Sequence, residues 1–158
     1  MLSDDNLFYG IPDPSRQGVD GVTMHETAEI IRRVGIAKGY VPISEYRVDI
    51  GDGTKRQIDW VWVKKNLKTV VAAFEIEGSN VPSNSVDFDV RKLKFINKQH
   101  ADAKCFIVTY SVRFDQEHLK WITLKNTGKK RFEVKAGSDN TIKWLPESEL
   151  RSLINKKI

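Results

Sequence analysis

The chain has 158 residues, of which 40% are hydrophobic and 30% charged, so it is long enough for one domain with its own core. It contains no run of about 18 apolar residues, and its start has neither a basic n-region nor an apolar h-region, so we expect a cytoplasmic protein without a membrane segment. The formal net charge of +5 is typical of proteins that bind polyanions such as nucleic acids.

The N-terminal part of the chain predicts an irregular arm followed by a helix. Residues 1–20 carry glycines and prolines with little apolar periodicity, so we assign them no regular element. The run Thr23-Met24-His25-Glu26 matches a capping box, in which the Thr hydroxyl and the Glu carboxylate accept free backbone N–H groups at a helix start. A helix is therefore predicted over residues 24–38, with Gly39 as its stop.

Three apolar segments then predict an antiparallel meander, which a helix and a fourth strand follow. Because a parallel pair needs a connection of about a dozen residues, the third strand, the helix and the fourth strand are expected to form a right-handed crossover unit. The expected fold class is α/β, with a mixed sheet of the α+β kind. The predicted elements are strands at 41–50, 57–64 and 69–77, a helix at 86–99, a strand at 104–109, a helix at 114–124, a basic turn at 126–130, strands at 131–135 and 141–145, and a helix at 147–155.

Acidic residues interrupt the apolar stretch QIDWVWVKKNLKTVVAAFEIEGSN at residues 57–80. Asp59 lies in the second predicted strand, and Glu75 and Glu77 lie in the third, where side-chain alternation puts both glutamates on one face. Clustered carboxylates are costly to bury unless a positive charge lies among them, and a divalent cation is the usual one. Mg²⁺ prefers hard oxygen ligands and keeps several waters, so Asp59, Glu75 and the carbonyl of Ile76 suffice to bind it, with Mn²⁺ as a substitute.

The metal site depends on the register of the two strands, because residues opposite each other in an antiparallel pair share a face. An even loop centred on Asn66 and Leu67 would set Asp59 opposite Phe74, on the wrong face. We therefore predict either an odd loop over residues 66–68 or a β-bulge, so that Asp59 lies opposite Glu75.

These residues resemble the motif of the PD-(D/E)xK nuclease superfamily, which has the restriction-endonuclease-like fold. The resemblance covers residues 23–109 and includes the order of helix, meander, crossover helix and parallel strand. It implies a single nuclease-like domain, with residues 110–158 as a C-terminal elaboration. It also implies a metal-dependent endonuclease that hydrolyses phosphodiester bonds, with DNA as the expected substrate. In this motif Asp59 matches the lone Asp and Glu75 matches the (D/E).

Two positions depart from the motif. Ile58 replaces the Pro, which is a common variation, and Glu77 replaces the Lys that would position or deprotonate the attacking water. One interpretation is that Glu77 acts as a base or a second metal ligand, as in an E-x-E variant. The other is that a lysine of the crossover helix, Lys92 or Lys94, supplies the missing charge, and both interpretations stay open.

The resemblance also implies an acid on the first helix. Glu26 is preferred to Glu29, because it shares a face with Ile30 and Ala37, whereas Glu29 points with Arg33. In this hypothesis Glu26 completes the acidic pocket through water. An equally weighted interpretation makes Glu26 a plain capping residue.

Polar and basic residues near the motif are expected to bind nucleic acid. The loop after the third strand is suited to contacting phosphates or base edges, although a solvated loop fits equally well. On the predicted crossover helix, Arg91, Lys94 and Lys98 share one face and can follow a phosphate backbone, or form a solvated helix face. The residues expected to bind nucleic acid are Ser79, Asn80, Arg91, Lys92, Lys94 and Lys98.

A second class of function fits the same residues, namely a non-catalytic nucleic-acid-binding or assembly module that kept the fold and lost the Lys. Among enzymes, cutting both strands generally takes two active sites, so a homodimer is expected. The histidines show no ligand spacing with one another or with Cys105, so a zinc site is not expected, and Cys105 is expected to be a buried, inert thiol.

Overall fold

The computed structural model describes residues 7–13, 21–51, 53, 55–79, 81–124, 129, 132–133 and 141–158. Its strands form one five-stranded sheet and one two-stranded sheet. The helices whose bounds the structure describes are α1 (Met24–Ala37), α2 (Ser83–Gln99) and α3 (Glu147–Leu150), which continues as a 3-10 helix (Arg151–Asn155). The strands are β1 (Val41–Asp49), β2 (Lys55–Val63), β3 (Val70–Gly78), β4 (Lys104–Tyr110), β5 (Val112–Asp115), β6 (Lys120–Thr123) and β7 (Ile142–Pro146).

The five-stranded sheet has the order β1-β2-β3-β4-β7 and is mixed. Strands β1, β2 and β3 pair antiparallel as the predicted meander, whereas β3, β4 and β7 run parallel. Helix α2 connects β3 to β4, so the predicted crossover between two parallel strands is confirmed. The fold class, α/β with a mixed sheet of the α+β kind, is therefore confirmed.

The two long helices pack on opposite faces of this sheet. Helix α1 contributes Ile30, Ile31 and Val34 to a cluster with Trp62 and Phe74. On the other face, the apolar stripe of α2 packs against β2, β3 and β4. That second cluster includes Val61, Ala73, Val86, Val90, Leu93, Ile96 and Ile107.

Helix α1 begins at the predicted capping box. The Thr23 hydroxyl accepts the N–H of Glu26 at 3.2 Å, and the Glu26 carboxylate accepts the N–H of Thr23 at 3.0 Å. The helix is held on the sheet by Trp62, whose indole N–H donates to the carbonyl of Ile31 at 3.0 Å. A Cβ atom at Gly35 would lie 2.4 Å from that indole nitrogen, so only glycine allows this close approach.

One predicted element was wrong. Residues 114–124 were predicted as a helix, but β5 and β6 form an antiparallel hairpin. Phe114 packs edge-on against Trp121, and the Asp115 carboxylate accepts the N–H groups of Glu117 and His118, which reverses the chain. Asx turns of this kind compete with helix formation.

Other predicted elements differ in extent or fall where the structure is not described. Helix α2 begins at Ser83, three residues before the predicted start at 86, and the strand predicted at 141–145 is β7. The basic turn at 126–130 and most of the strand predicted at 131–135 lie outside the described residues, and Phe132 and Glu133 are helical. Within the described part of the chain, no helix has the length and apolar character needed to cross a membrane.

Candidate metal centre

A β-bulge in β3 sets the register between Asp59 and the glutamates. Next to the loop, the strands pair with an even number of residues between partners, because Val63 lies opposite Val70 and the N–H of Lys64 donates to the carbonyl of Thr69. Beyond the shift Trp62 lies opposite Ala72. Val71 is therefore an extra residue, and it packs on the same face of the sheet as Ala72.

The register beyond the bulge runs to Trp60 opposite Phe74, the last pair of this ladder, and by parity it directs Asp59 to the same face as Glu75. This is the relation that the sequence required of a bulge or an odd loop. Ala73 packs against α2, and Glu75 and Glu77 follow it at alternate positions. The two glutamates therefore lie on the α2 face, near the carboxyl ends of the parallel strands, where ligands bind in open α/β sheets.

Asp59 lies in the gap where the paired part of β2 and β3 ends. Its Oδ2 accepts the backbone N–H of Ile76 at 2.7 Å, and thereby takes the place of a carbonyl of β2 in the ladder. The N–H and C=O of one strand residue point to the same side, so the carbonyl of Ile76 also faces this gap. Asp59 and the Ile76 carbonyl therefore lie on the same side of β3.

Helix α2 brings a lysine to these carboxylates. The Lys92 ammonium lies 3.0 Å from Glu75 Oε2 and also donates to the carbonyl of Gln57 at 3.0 Å. Glu75 is 2% exposed, and the Lys92 side chain is 15% exposed. Of the two lysines considered from the sequence, Lys92 therefore reaches the cluster, whereas Lys94 is exposed on another side of the helix.

A fourth carboxylate, Asp89, joins the cluster and was missed in the sequence. It is 3% exposed and lies 3.8 Å from the Lys92 ammonium, and its carboxyl interacts electrostatically with those of Glu75 and Glu77. The signal was present in the sequence, because Asp89 falls three residues after Val86 and four before Leu93, on the apolar stripe of the helix. An aspartate at a core-facing position has to have a polar partner.

The electrostatics follow from burial. Burial raises the pKa of Glu75 to about 8, with a further contribution from the charge of Asp59 and an opposing one from Lys92. Burial and the charges of Glu75 and Glu77 raise the pKa of Asp89 to about 11. Burial also raises the pKa of Asp59 and of Glu77. Without a cation, the cluster therefore retains protons at neutral pH.

The donor set fits a hard divalent cation. Glu75 Oε1 is buried and has no hydrogen-bond partner, although a carboxylate oxygen removed from water normally accepts one or more donors. Asp59, Glu75 and the Ile76 carbonyl offer only oxygen ligands, which Mg²⁺ and Mn²⁺ prefer. These residues would hold the cation that the sequence predicted.

Glu26 is not brought to the cluster. Its carboxylate is engaged in the capping box, and α1 packs on the face of the sheet opposite to α2. Of the two interpretations of Glu26, the structure shows the capping contact.

The residues predicted to bind nucleic acid are divided between the surface and the interior. Ser79 is 6% exposed, and its hydroxyl donates to the carbonyl of Tyr110 at 2.8 Å. Asn80 lies outside the described residues, and Lys92 points into the cluster. The remaining three, Arg91, Lys94 and Lys98, are exposed on α2.

A second group of potential ligands lies at the turn of the β5–β6 hairpin. Asp115, Glu117 and His118 each place one ligand atom within 4.8 Å of the others, a spacing that the four carboxylates around Lys92 do not meet. His118 Nδ1 lies 2.8 Å from Asp115 Oδ2, which holds the pKa of Asp115 below its usual value. The Asp115 oxygens already have partners in the backbone N–H groups of Glu117 and His118 and in the His118 ring, and nothing beyond proximity indicates a cation.

Comparison of the chain with known protein families, with curated proteins and with solved structures finds no match.

Proposed function

We propose that this chain is a metal-dependent nuclease that hydrolyses phosphodiester bonds in DNA, with Asp59, Glu75 and the Ile76 carbonyl as ligands of Mg²⁺ or Mn²⁺. The observation that carries this proposal is the ion pair between Lys92 and Glu75, 3.0 Å apart, beside Asp59. Lys92, from the crossover helix, contacts Glu75 and so supports the interpretation in which a helix lysine supplies the charge that the motif lacks on the strand. The site thus combines carboxylates that can bind a metal ion with the positively charged ammonium group of Lys92.

The roles of the side chains follow from their charges. When bound, the metal ion would lower the pKa of a bound water and neutralise charge on the phosphate. Lys92 offers an ammonium group to the developing negative charge, and the contacts of this ammonium to Glu75 and to the Gln57 carbonyl hold it in place. Glu77 is less buried than Glu75, and in its ionised form it accepts a proton from the attacking water.

The nucleic acid would approach along the exposed side of α2. Arg91 and Lys94 line a groove on this helix together with Phe88, which is 41% exposed. The guanidinium of Arg56 lies over the Phe88 ring, 4.9 Å from its centroid. Basic groups beside an acidic centre are suited to hold a phosphate backbone over it.

The test is cleavage by the purified protein of duplex, single-stranded and branched DNA and of RNA, with Mn²⁺ or Mg²⁺ and with EDTA. Asp59→Asn and Glu75→Gln are expected to abolish cleavage and to leave the far-UV circular dichroism unchanged. Separation of nicked from linear products also shows whether one strand or both are cut, which bears on the expected homodimer.

A matched pair of lysine variants isolates the role of Lys92. Lys92→Gln is expected to lower kcat by about 10²-fold or more, the size of effect that follows when one charged group no longer stabilises the transition state. Lys94→Gln removes the same charge from the exposed side of the same helix and should lower kcat much less. Full activity of Asp59→Asn, or equal decreases in the two lysine variants, would contradict this assignment.

One observation favours the alternative of a non-catalytic nucleic-acid-binding or assembly module. The Lys92 ammonium already neutralises part of the cluster in the absence of metal, so the carboxylates could serve stability alone. In that case Mn²⁺ titration would give no binding that depends on Asp59. The nuclease requires such binding.

A further inference from the structure

We infer that the groove on the exposed side of α2 holds an unpaired DNA base, which stacks on the ring of Phe88. This inference deepens the proposed function and rests on it, because it names the substrate class as DNA with a single-stranded stretch beside the site of cleavage. The groove has a volume of about 310 Å³ and is lined by Asn84, Asp87, Phe88, Val90, Arg91 and Lys94.

The first argument is the exposure of the Phe88 ring. Phe88 is 41% exposed, whereas Val86, Val90 and Leu93 of the same helix are buried in the core. The guanidinium of Arg56 lies over this ring, 4.9 Å from its centroid, as cations do at aromatic faces. Every base has a π face, so a base can stack on the part of the ring that solvent reaches.

The second argument is charge. Arg91 and Lys94 are exposed in the groove, and Arg56 adds a third positive charge at the ring, against the one carboxylate of Asp87. Proteins bind single-stranded nucleic acid with this combination, in which cations hold the phosphates and an aromatic ring holds a base. An apolar protein segment would offer Arg91 and Lys94 no negative charge. The groove is therefore complementary to a nucleic acid strand.

The third argument is the state of the base that Phe88 can reach. Inside a duplex, both faces of each base are covered by the neighbouring bases of the stack, so a base has to leave the stack before a side chain can cover its face. Contacts to the phosphates of a duplex need no aromatic ring. An exposed ring among basic groups therefore favours DNA that already carries unpaired bases.

The groove lies next to the carboxylate cluster. Phe88 precedes Lys92 by four residues, so the two are neighbours on α2, about 6 Å apart along the helix axis. Arg56 directly precedes Gln57, whose carbonyl accepts a hydrogen bond from the Lys92 ammonium at 3.0 Å. A base held at Phe88 therefore brings a neighbouring phosphate of the same strand to Lys92 and the proposed metal site.

The experiment compares the binding of two labelled oligonucleotides by fluorescence anisotropy in EDTA, which withholds the metal ion for cleavage. One is an oligothymidylate of about 12 nucleotides, a length typical of single-strand sites. The other has the same phosphates but abasic sites in place of the bases. We expect the unmodified protein to bind the oligothymidylate about 10-fold more tightly than the abasic strand. Phe88→Leu should lose this preference, and Phe88→Tyr, which keeps an aromatic ring, should retain it.

Two controls separate stacking from other effects of the substitution. Tyr9→Leu removes a ring that is 82% exposed next to Phe8, on the α1 side of the sheet, and should change neither affinity. Phe88→Leu also removes the contact of the ring with Arg56, and the abasic strand reports any phosphate contact that is lost with it. Far-UV circular dichroism checks that each variant is folded.

The outcomes separate this inference from the proposed function. Equal binding of both strands by the unmodified protein overturns it, and so does a Phe88→Leu variant that keeps the preference, the result expected if the groove holds a protein segment. Equal losses on both strands in Phe88→Leu also overturn it, because the ring then serves only to position Arg56. Cleavage that depends on Asp59 without a preference for bases overturns this inference alone. A preference that depends on Phe88, without metal-dependent cleavage, overturns the nuclease and leaves the base-binding groove.

Discussion

At the residue scale, Glu75 and Asp89 make the metal-free protein sensitive to pH in an unusual direction. Their pKa values, about 8 and about 11, lie above the ordinary values of 4.5 and 3.8, so the native state keeps protons that the unfolded chain has released. The stability that these groups contribute is fully present below the ordinary values and is lost as pH rises towards the raised ones.

We therefore predict that the free energy of unfolding in EDTA decreases between about pH 5 and about pH 9, by an amount on the order of a few kcal/mol. Urea unfolding across this range measures it. The double variant Glu75→Gln with Asp89→Asn removes both titrations and should have a flatter profile. A profile as steep as that of the unmodified protein would contradict the assignment of these protons. Saturating Mn²⁺ should shift the maximum stability to higher pH, because the cation takes the place of the protons.

At the scale of elements, substitutions at the start of α1 distinguish a capping role of Glu26 from a catalytic one. Glutamine fits the same position of a capping box, so Glu26→Gln is expected to change the stability by less than about 1 kcal/mol and to leave cleavage unaffected. Thr23→Ala removes the other half of the box and should cost about 1 kcal/mol. The measurements are thermal unfolding and initial cleavage rate. Loss of cleavage in a folded Glu26→Gln would contradict a role limited to capping, and would support the role in the acidic pocket that the family resemblance implies.

Helix α2 shows which features of the candidate site could be predicted from the sequence and which could not. Its existence, its apolar stripe and its place between β3 and β4 follow from periodicity and connection length, and they were predicted correctly. The position of Asp89 on that stripe was also visible in the sequence. Its partners were not, because Glu75 and Glu77 come to it only through the packing of the helix on the sheet.

Strands β5 and β6 show the opposite case. In runs of four residues strand alternation is hard to recognise, and the apolar residues 114, 121 and 124, spaced seven and three apart, fit helical spacing. The turn at Asp115 decided the outcome, and it depends on one side chain that bonds to two backbone N–H groups. The bulge in β3 was predicted in part. The pairing of Asp59 with the face of Glu75 required a shift in register, but the sequence did not determine the residue at which the shift occurs.

At the scale of the whole molecule, the charge distribution predicts how the proposed nuclease would hold DNA. In the Asp59→Asn background, which is expected to bind without cutting, replacement of Arg91, Lys94 and Lys98 by Gln should weaken duplex binding. The slope of log K against log salt concentration should fall by about 1 for each phosphate that the protein no longer neutralises.

The control replaces three other lysines, Lys64, Lys65 and Lys68, which are exposed in the loop between β2 and β3. That loop lies at the opposite end of β3 from Glu77, so the same reduction in charge should leave the slope nearly unchanged. Fluorescence anisotropy over a range of salt concentrations measures both variants. Equal effects would indicate that net charge, and not the face of α2, governs binding.

The bulge at Val71 has a consequence for comparing this chain with others of different length. A chain that lacked one residue between Val70 and Phe74 could form a regular ladder, in which each remaining side chain keeps an allowed face. Asp59 would still share a face of the sheet with Glu75. A one-residue gap in this segment is therefore compatible with a shared site, whereas a gap between Phe74 and Glu77 would displace a carboxylate.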